Sequence, residues 1–349
     1  MMFYINQTSC ISPQEFILFD DNHILRKATG GKLFALEPNY KNIPSAQLRR
    51  MGKAVRFGVG AALPLLQQGN DVNGIIIGTA NGGMEDCMKF LKQIIEFDED
   101  SLTPGNFVQG VPNAVASQLG LLSHNLGYNI TNVHRGLAFE NSIIDALMLL
   151  NEHPLNTYLL GAVDEISDFN YKIELLNGNY KQQSNEGTDF YESGSQGSLA
   201  GEGASMFFVS NKKDAAIAKL EFVETIHSSD EEEILNWVEG RLGSHLIEMD
   251  KIDLLLTGEN GDNRVLKYYT AIESIFNNKI SIARYKHLCG EYATASAYAV
   301  WLICELFKNS KVPLHIMKVG TPPQKIEKVL LYTNYLGEQH SLMLFSKVK

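Results

Sequence analysis

Apolar positions come in two alternating kinds of run, short continuous ones and longer ones with helical spacing, and that alternation predicts an α/β protein. Gly74-Ile75-Ile76-Ile77-Gly78-Thr79 predicts a buried strand entering a glycine loop, Ala80-Asn81-Gly82-Gly83. A helix follows, with Met84, Cys87, Met88 and Leu91 on one face. Asn129–Val133 predicts a second strand, which turns at His134-Arg135-Gly136 into a helix from Phe139 to Leu150. Thr157–Val163 and Ser205–Val209 are further strands, and the polar stretch Asn177–Ser198 between them reads as a surface loop. Past Asp214 the pattern restarts. Ile252–Leu256 is a buried strand with the loop Thr257–Asn263 after it, then come the helix Tyr268–Phe276 and the strand Lys279–Ala283. A glycine turn at Gly290 opens a small-residue helix, Ala293–Phe307, and strands Lys328–Thr333 and Ser341–Phe345 flank a turn at Gly337. The two stretches rhyme, so the chain reads as a duplicated unit with a seam near residues 211 to 216: one half spans 1–213, the other 214–349.

Composition narrows the function classes. With 349 residues and 44% hydrophobic content the chain is long enough for a large core, at roughly 150 to 200 residues per domain. The net charge of −10 argues against nucleic acid, which is held by clustered Lys and Arg. Only Ser45–Arg56 is locally basic, and it reads as the wet face of an amphipathic helix. The four cysteines (Cys10, Cys87, Cys289, Cys304) are scattered, against a zinc site or disulfide framework and in keeping with a reducing cytoplasm. No apolar run approaches the roughly 20 residues of a membrane helix, and the first 20 residues lack the order of a signal peptide. No metal or cofactor is expected.

Several segments, in order along nearly the whole chain, resemble the β-ketoacyl synthase family. Ser45-Ala46-Gln47-Leu48-Arg49-Arg50-Met51 is similar to its early arginine-rich helix, and Gly78–Gly83 to its glycine loop. Gly161-Ala162-Val163-Asp164-Glu165 resembles the "GGxD" turn, and Gly201-Glu202-Gly203-Ala204-Ser205 the "GEGA" segment. Lys286 with Gly290, and Gly337 to Leu344, are similar to the conserved lysine, the "GH" turn and the closing glycine-rich loop. The resemblance implies a thiolase-like fold: two βαβαβαββ halves in a five-layer αβαβα sandwich, and a dimer.

Condensing relatives need a cysteine at a buried helix N-terminus, where the helix dipole and backbone N–H groups lower its pKa and form an oxyanion hole. They also need two histidines, or a histidine and an asparagine, and a buried lysine. Counting back from Ala146 puts the nucleophile position at Gly136, within one residue, and Asn132–Asn141 contains no Cys, Ser or Thr. Gly258 stands where the first histidine belongs and Glu291 where the second does, while Lys286 is kept. A Lys286–Glu291 ion pair would fill the old site. His134 is a candidate pocket residue best read as a structural hydrogen-bonding group. Arg135 and Glu140 are candidates to pair with each other or to plug the pocket, with plugging preferred. Cys289 is the candidate relocated nucleophile, and a small residue packed under the turn is its plainer role. Cys87 reads as core; His287 and His340 lie near segments bordering the site.

Keeping the frame while losing the nucleophile makes the chain similar to chain length factors. That implies a heterodimer with an active ketosynthase in fatty acid or polyketide (aryl-polyene-like) synthesis. Acyl carrier protein then delivers to that partner, and the tunnel between the subunits is shaped by Phe107, Val108 and Val111 within Phe107–Ala116 and by the helix after Gly136. The rival reading is a divergent acyltransferase or 3-oxoacyl synthase using Cys289 or a His134–Glu pair; a third is a homodimeric scaffold. The sequence alone leaves open whether the chain is an enzyme.

Overall fold

The computed structural model describes all residues except 1, 16–18, 20–23, 42, 68–71, 99, 183–186 and 277–279. The strands are β1 (Tyr4–Ile11), β2 (Lys32–Leu33), β3 (Gly74–Thr79), β4 (Tyr128–Val133), β5 (Thr157–Asp164), β6 (Ala200–Gly201) and β7 (Gly203–Ser210). After the seam come β8 (Ala218–His227), β9 (Leu254–Thr257), β10 (Ser281–Arg284), β11 (Met317–Val319), β12 (Lys328–Tyr335) and β13 (Gln339–Lys347). The helices are α1 (Ser45–Leu48), α2 (Lys53–Leu66), α3 (Met84–Glu96), α4 (Pro104–Gly110), α5 (Ala114–Ser123), α6 (Ala138–Glu152) and α7 (Asp168–Leu176). In the second stretch they are α8 (Glu231–Ser244), α9 (Leu266–Ile275), α10 (Lys286–Cys289) and α11 (Ala295–Asn309).

Three apolar cores separate five layers. One lies between α2, α5 and the outer face of the first-half strands. A second lies between α8, α9 and the outer face of the second-half strands. The third and largest surrounds α6 and α11 and draws on strands of both halves. This is the thiolase-like sandwich that the resemblance implied. The two sheets do not merely stack, however. They are hydrogen-bonded into one eleven-stranded sheet, β11-β10-β9-β12-β13-β8-β1-β7-β5-β3-β4, joined where Tyr4 faces Lys219 and Ile5 faces Ala218. Strands from both halves pack against α6 and α11, so this one sheet supplies both halves' walls to the central helix layer.

Local sequence explains the layers. All six residues of β3 are buried, as expected for a parallel strand covered on both faces. Helix α11 is apolar around most of its circumference because it has sheet on both sides. Three expectations need correction. Ser45–Arg56 is not one helix: the chain breaks between α1 and α2, and while Arg49 and Arg50 are exposed as expected, Lys53 pairs with Glu202 and Arg56 with Glu37. The α3 face with Leu91 is not core; Leu91 is exposed, Cys87 is half-buried, and Asp86 is the helix's buried residue. The stretch Asn177–Ser198 is not simply surface, because Phe190 and Tyr191 pack with Ala28, Leu33 and Leu199. Lys279, where a strand was expected to begin, lies outside the described residues.

Candidate functional site

The junction of β4 and α6 carries Gly136 in a tight turn, after Arg135 at φ 48°. The Gly136 N–H donates to Gln339 Oε1 at 2.9 Å. A Cβ built on Gly136 would lie 2.1 Å from Tyr335 Cβ, so the space for a side chain is already taken. Tyr335 ends β12 and Gln339 begins β13; Leu336 and Gly337, both at positive φ, close the hairpin between them. The hairpin thus wedges an aromatic ring against the helix start and uses an amide to cap the N–H there.

Across the sheet edges, Gly258 donates its N–H to Tyr332 O at 2.9 Å and accepts from Tyr269 Oη at 2.7 Å. Glu291 is buried beside Lys286, with Lys286 Nζ 2.8 Å from Glu291 Oε1. Asn260 Nδ2 donates to Glu291 Oε2 at 2.8 Å. The expected Lys286–Glu291 pair is therefore formed, with an amide completing it. Gly290, at φ 76°, lets the turn approach β6: a Cβ there would meet Gly201 Cα at 2.5 Å.

Asp164, at the end of β5, was recognised only as part of a motif. Its carboxylate accepts from Thr79 Oγ1, the Ala80 N–H, and both the N–H and Oγ1 of Thr294, tying loops of the two halves together. Above these groups opens a cleft of about 290 Å³ whose lining includes Asp164, Glu174, Tyr180, Glu291, Tyr292 and Tyr335. The 177–198 stretch is fastened over its side. Lys181 Nζ donates to Ser195 O and Gly261 O, and Arg264 Nη2 to Gly178 O at 2.9 Å. These latches were not legible beforehand, because their acceptors are backbone carbonyls.

The other candidates are dispersed. His134 is exposed on the surface and hydrogen-bonded through Nδ1 to Asn141, so it does not line the cleft. Arg135 is exposed and faces Glu338 at 3.8 Å; it neither pairs with Glu140 nor plugs the pocket. Cys289 is fully buried, and burial pushes its thiol well above the ordinary range, which suits packing and not nucleophilic attack. His287 bonds Tyr191 and His340 bonds Tyr332, and burial pushes them down to about 3 and about 4, so both are neutral near pH 7. Phe107 and Val108 stand exposed on α4, away from the cleft, and Val111 is half-buried beside them. The phenols of Tyr180 and Tyr335 are pushed upward chiefly by burial, which keeps them protonated. Chemically, the cleft offers hydrogen-bonding groups and carboxylates but, among the described residues, no thiol or hydroxyl at the helix start to carry an acyl chain. Among the described residues no cluster of three or more His, Cys, Asp or Glu is arranged for a metal, and no helix is long and apolar enough to cross a membrane.

Glu140 lies fully buried in the first turn of α6. Ser341 Oγ donates to its Oε1 at 2.9 Å, while Oε2 has no hydrogen-bond partner among the described residues. Burial pushes this carboxyl up to about 7. The folded value exceeds the unfolded one, so Glu140's contribution to stability is full below pH 4.5 and is lost as pH rises through about 7. In Glu140→Gln, stability relative to the native protein should therefore improve by about 3 kcal/mol between pH 4.5 and pH 8. Urea unfolding across that range measures it; parallel pH curves would count against the buried neutral carboxyl.

Comparison with known proteins fits this geometry. Residues 30–183 match the model of the β-ketoacyl synthase N-terminal domain. A β-ketoacyl synthase from Burkholderia phymatum STM815 superposes with a TM-score of 0.76 at 14% identity, covering 100% of both chains. A ketosynthase in complex with its chain length factor from Xenorhabdus doucetiae gives 0.79 at 12% identity, covering 99% of this chain and 98% of that one. The ishigamide ketosynthase/chain length factor gives 0.79 at 13%, covering 100% and 99%. No curated relative matches the sequence. The resemblance read from the sequence has this support: residues 30–183 are similar to the β-ketoacyl synthase N-terminal domain, and the whole chain shares its fold with the solved ketosynthases.

Proposed function

We propose that this chain is a non-condensing, chain-length-factor-like subunit that pairs with an active ketosynthase in type II fatty acid or polyketide synthesis, of the aryl-polyene-like kind. The observation that carries the proposal is the filled junction at Gly136, with Tyr335 against the position where a nucleophile's side chain would start and Gln339 on the backbone N–H. Two of the similar structures hold a ketosynthase together with a chain length factor, which supports a role as partner.

In this reading, residues 1–213 and 214–349 are the two halves, and acyl carrier protein brings chains to the partner's cysteine in the cytoplasm. Strand β4 ends the sheet with an unpaired edge, and Phe107 and Val108 are exposed on α4. Apolar groups in such positions are what an interface covers. The burial of Cys289 removes the support for the rival acyltransferase reading. The test is to purify this chain with each ketosynthase encoded in its own genome and compare condensation by the pair with that by either protein alone. The pair should condense where this chain alone does not, and Phe107→Ala should lengthen the products. A ketosynthase whose rate and products ignore this chain would end the proposal.

A further inference from the structure

The cleft above Asp164 is rich in tyrosine and acid. Tyr171, Tyr180, Tyr268, Tyr292 and Tyr335 all line it. The hydroxyls of Tyr180, Tyr292 and Tyr335 make no hydrogen bond to another described residue. Ser167, also on the wall and 1% exposed, has a buried Oγ with no hydrogen-bond partner among the described residues. Of the carboxyl groups on the lining, Glu291 is paired with Lys286 and Asp262 with Arg264. Asp164 and Glu174 have no ion-pair partner among the described residues. Their donors are neutral: Thr79, Thr294 and backbone N–H groups for Asp164, and the Asn179 amide for Glu174. Burial is the main cause that raises the Tyr180 phenol, and Tyr335, Glu291, Glu174 and Asp164 add to it, so these groups face a common space.

Two tyrosine rings of the lining already carry an ammonium. Lys32 Nζ lies 4.0 Å from the Tyr171 ring centre, and Lys267 Nζ 4.7 Å from that of Tyr268. Tyr171 in turn stacks on Tyr180 at 5.3 Å. Aromatic faces attract cations, and phenolic and carboxyl oxygens accept their N–H bonds. A phosphate or other anion meets an unfavourable field here. A metal ion is the poorer fit, since among the described residues no three His, Cys, Asp or Glu are grouped to hold one. At about 290 Å³ the cleft sits just under the roughly 300 to 1,000 Å³ of ordinary ligand sites, so its occupant is small. We infer that the cleft binds a small organic molecule through a primary ammonium group, with Glu174 and the Tyr180 hydroxyl among its acceptors. Such a site operates whether or not the chain pairs with a ketosynthase.

Calorimetric titration of the full chain with n-butylamine near neutral pH tests this. 1-Butanol serves as the uncharged counterpart, choline as a cation with no N–H, and 4′-phosphopantetheine as an anion. Butylammonium should bind with a Kd of about 1 mM, more tightly than choline, while butanol and phosphopantetheine give no heat above dilution. Glu174→Gln, which can keep the Asn179 contact, should weaken binding about tenfold and Tyr180→Phe about fivefold. Circular dichroism checks that both variants fold. Butanol binding as tightly as butylammonium, or choline more tightly, overturns the ammonium assignment. So does phosphopantetheine binding in its place, butylammonium binding that both variants leave unchanged, or no heat from butylammonium up to about 50 mM.

Discussion

Replacing Lys286 with Met is expected to cost about 3 to 5 kcal/mol of folding stability, because among the described residues it leaves the buried carboxylate of Glu291 with the Asn260 amide as its side-chain donor. Against a usual total of about 5 to 15 kcal/mol, this is a large fraction. Glu291→Leu alone should be comparably damaging, since it strands the ammonium. The double variant Lys286→Met/Glu291→Leu should recover most of the loss, because a buried pair barely outweighs its desolvation while an unpaired charge does not. Urea unfolding of the four proteins closes the cycle. Single variants that lose less than about 1 kcal/mol would show that the pair is not holding this part of the fold.

The second large effect concerns Gly136→Cys. A chain that had lost only its nucleophile would be repaired by restoring the thiol. Here the new Cβ would sit 2.1 Å from Tyr335 Cβ, and the same hairpin holds the turn through Gln339. Opening room requires the hairpin to move, which should destabilise the protein by about 1 to 3 kcal/mol or more. Pairing the change with Tyr335→Gly should return part of that loss. Neither variant should condense, because Gly258 and Glu291 supply no imidazole to stabilise an enolate. Thermal or urea unfolding gives the first quantity and carbon dioxide release the second. A Gly136→Cys protein of native stability would mean the wedge is soft.

The legible part of this molecule is what periodicity and spacing encode. Strand β3 spans the residues its apolar run marked, because a strand covered on both faces needs no alternation. The tight turn around Gly136 between strand and helix was marked by its residues, and the Lys286–Glu291 ion pair by two opposite charges on either side of one glycine turn. The hidden part is long-range. Tyr335 and Gln339 reach the helix start from about 200 positions away, and nothing in their own segment says that they fill a site. The latches of Lys181 and Arg264 use backbone carbonyls, which every sequence contains. The α3 face looked like core because an apolar helix stripe has the same spacing whether it is buried or, as at Leu91, exposed.

The most direct test is intact-mass analysis of the isolated protein after incubation with acyl- and malonyl-carrier protein, alongside carbon dioxide release. A protein with no thiol or hydroxyl at the start of α6 should show neither an acyl adduct nor decarboxylation. An adduct mapped to Cys289 or to any other residue bordering the cleft, formed as fast as in an active ketosynthase, would contradict the account.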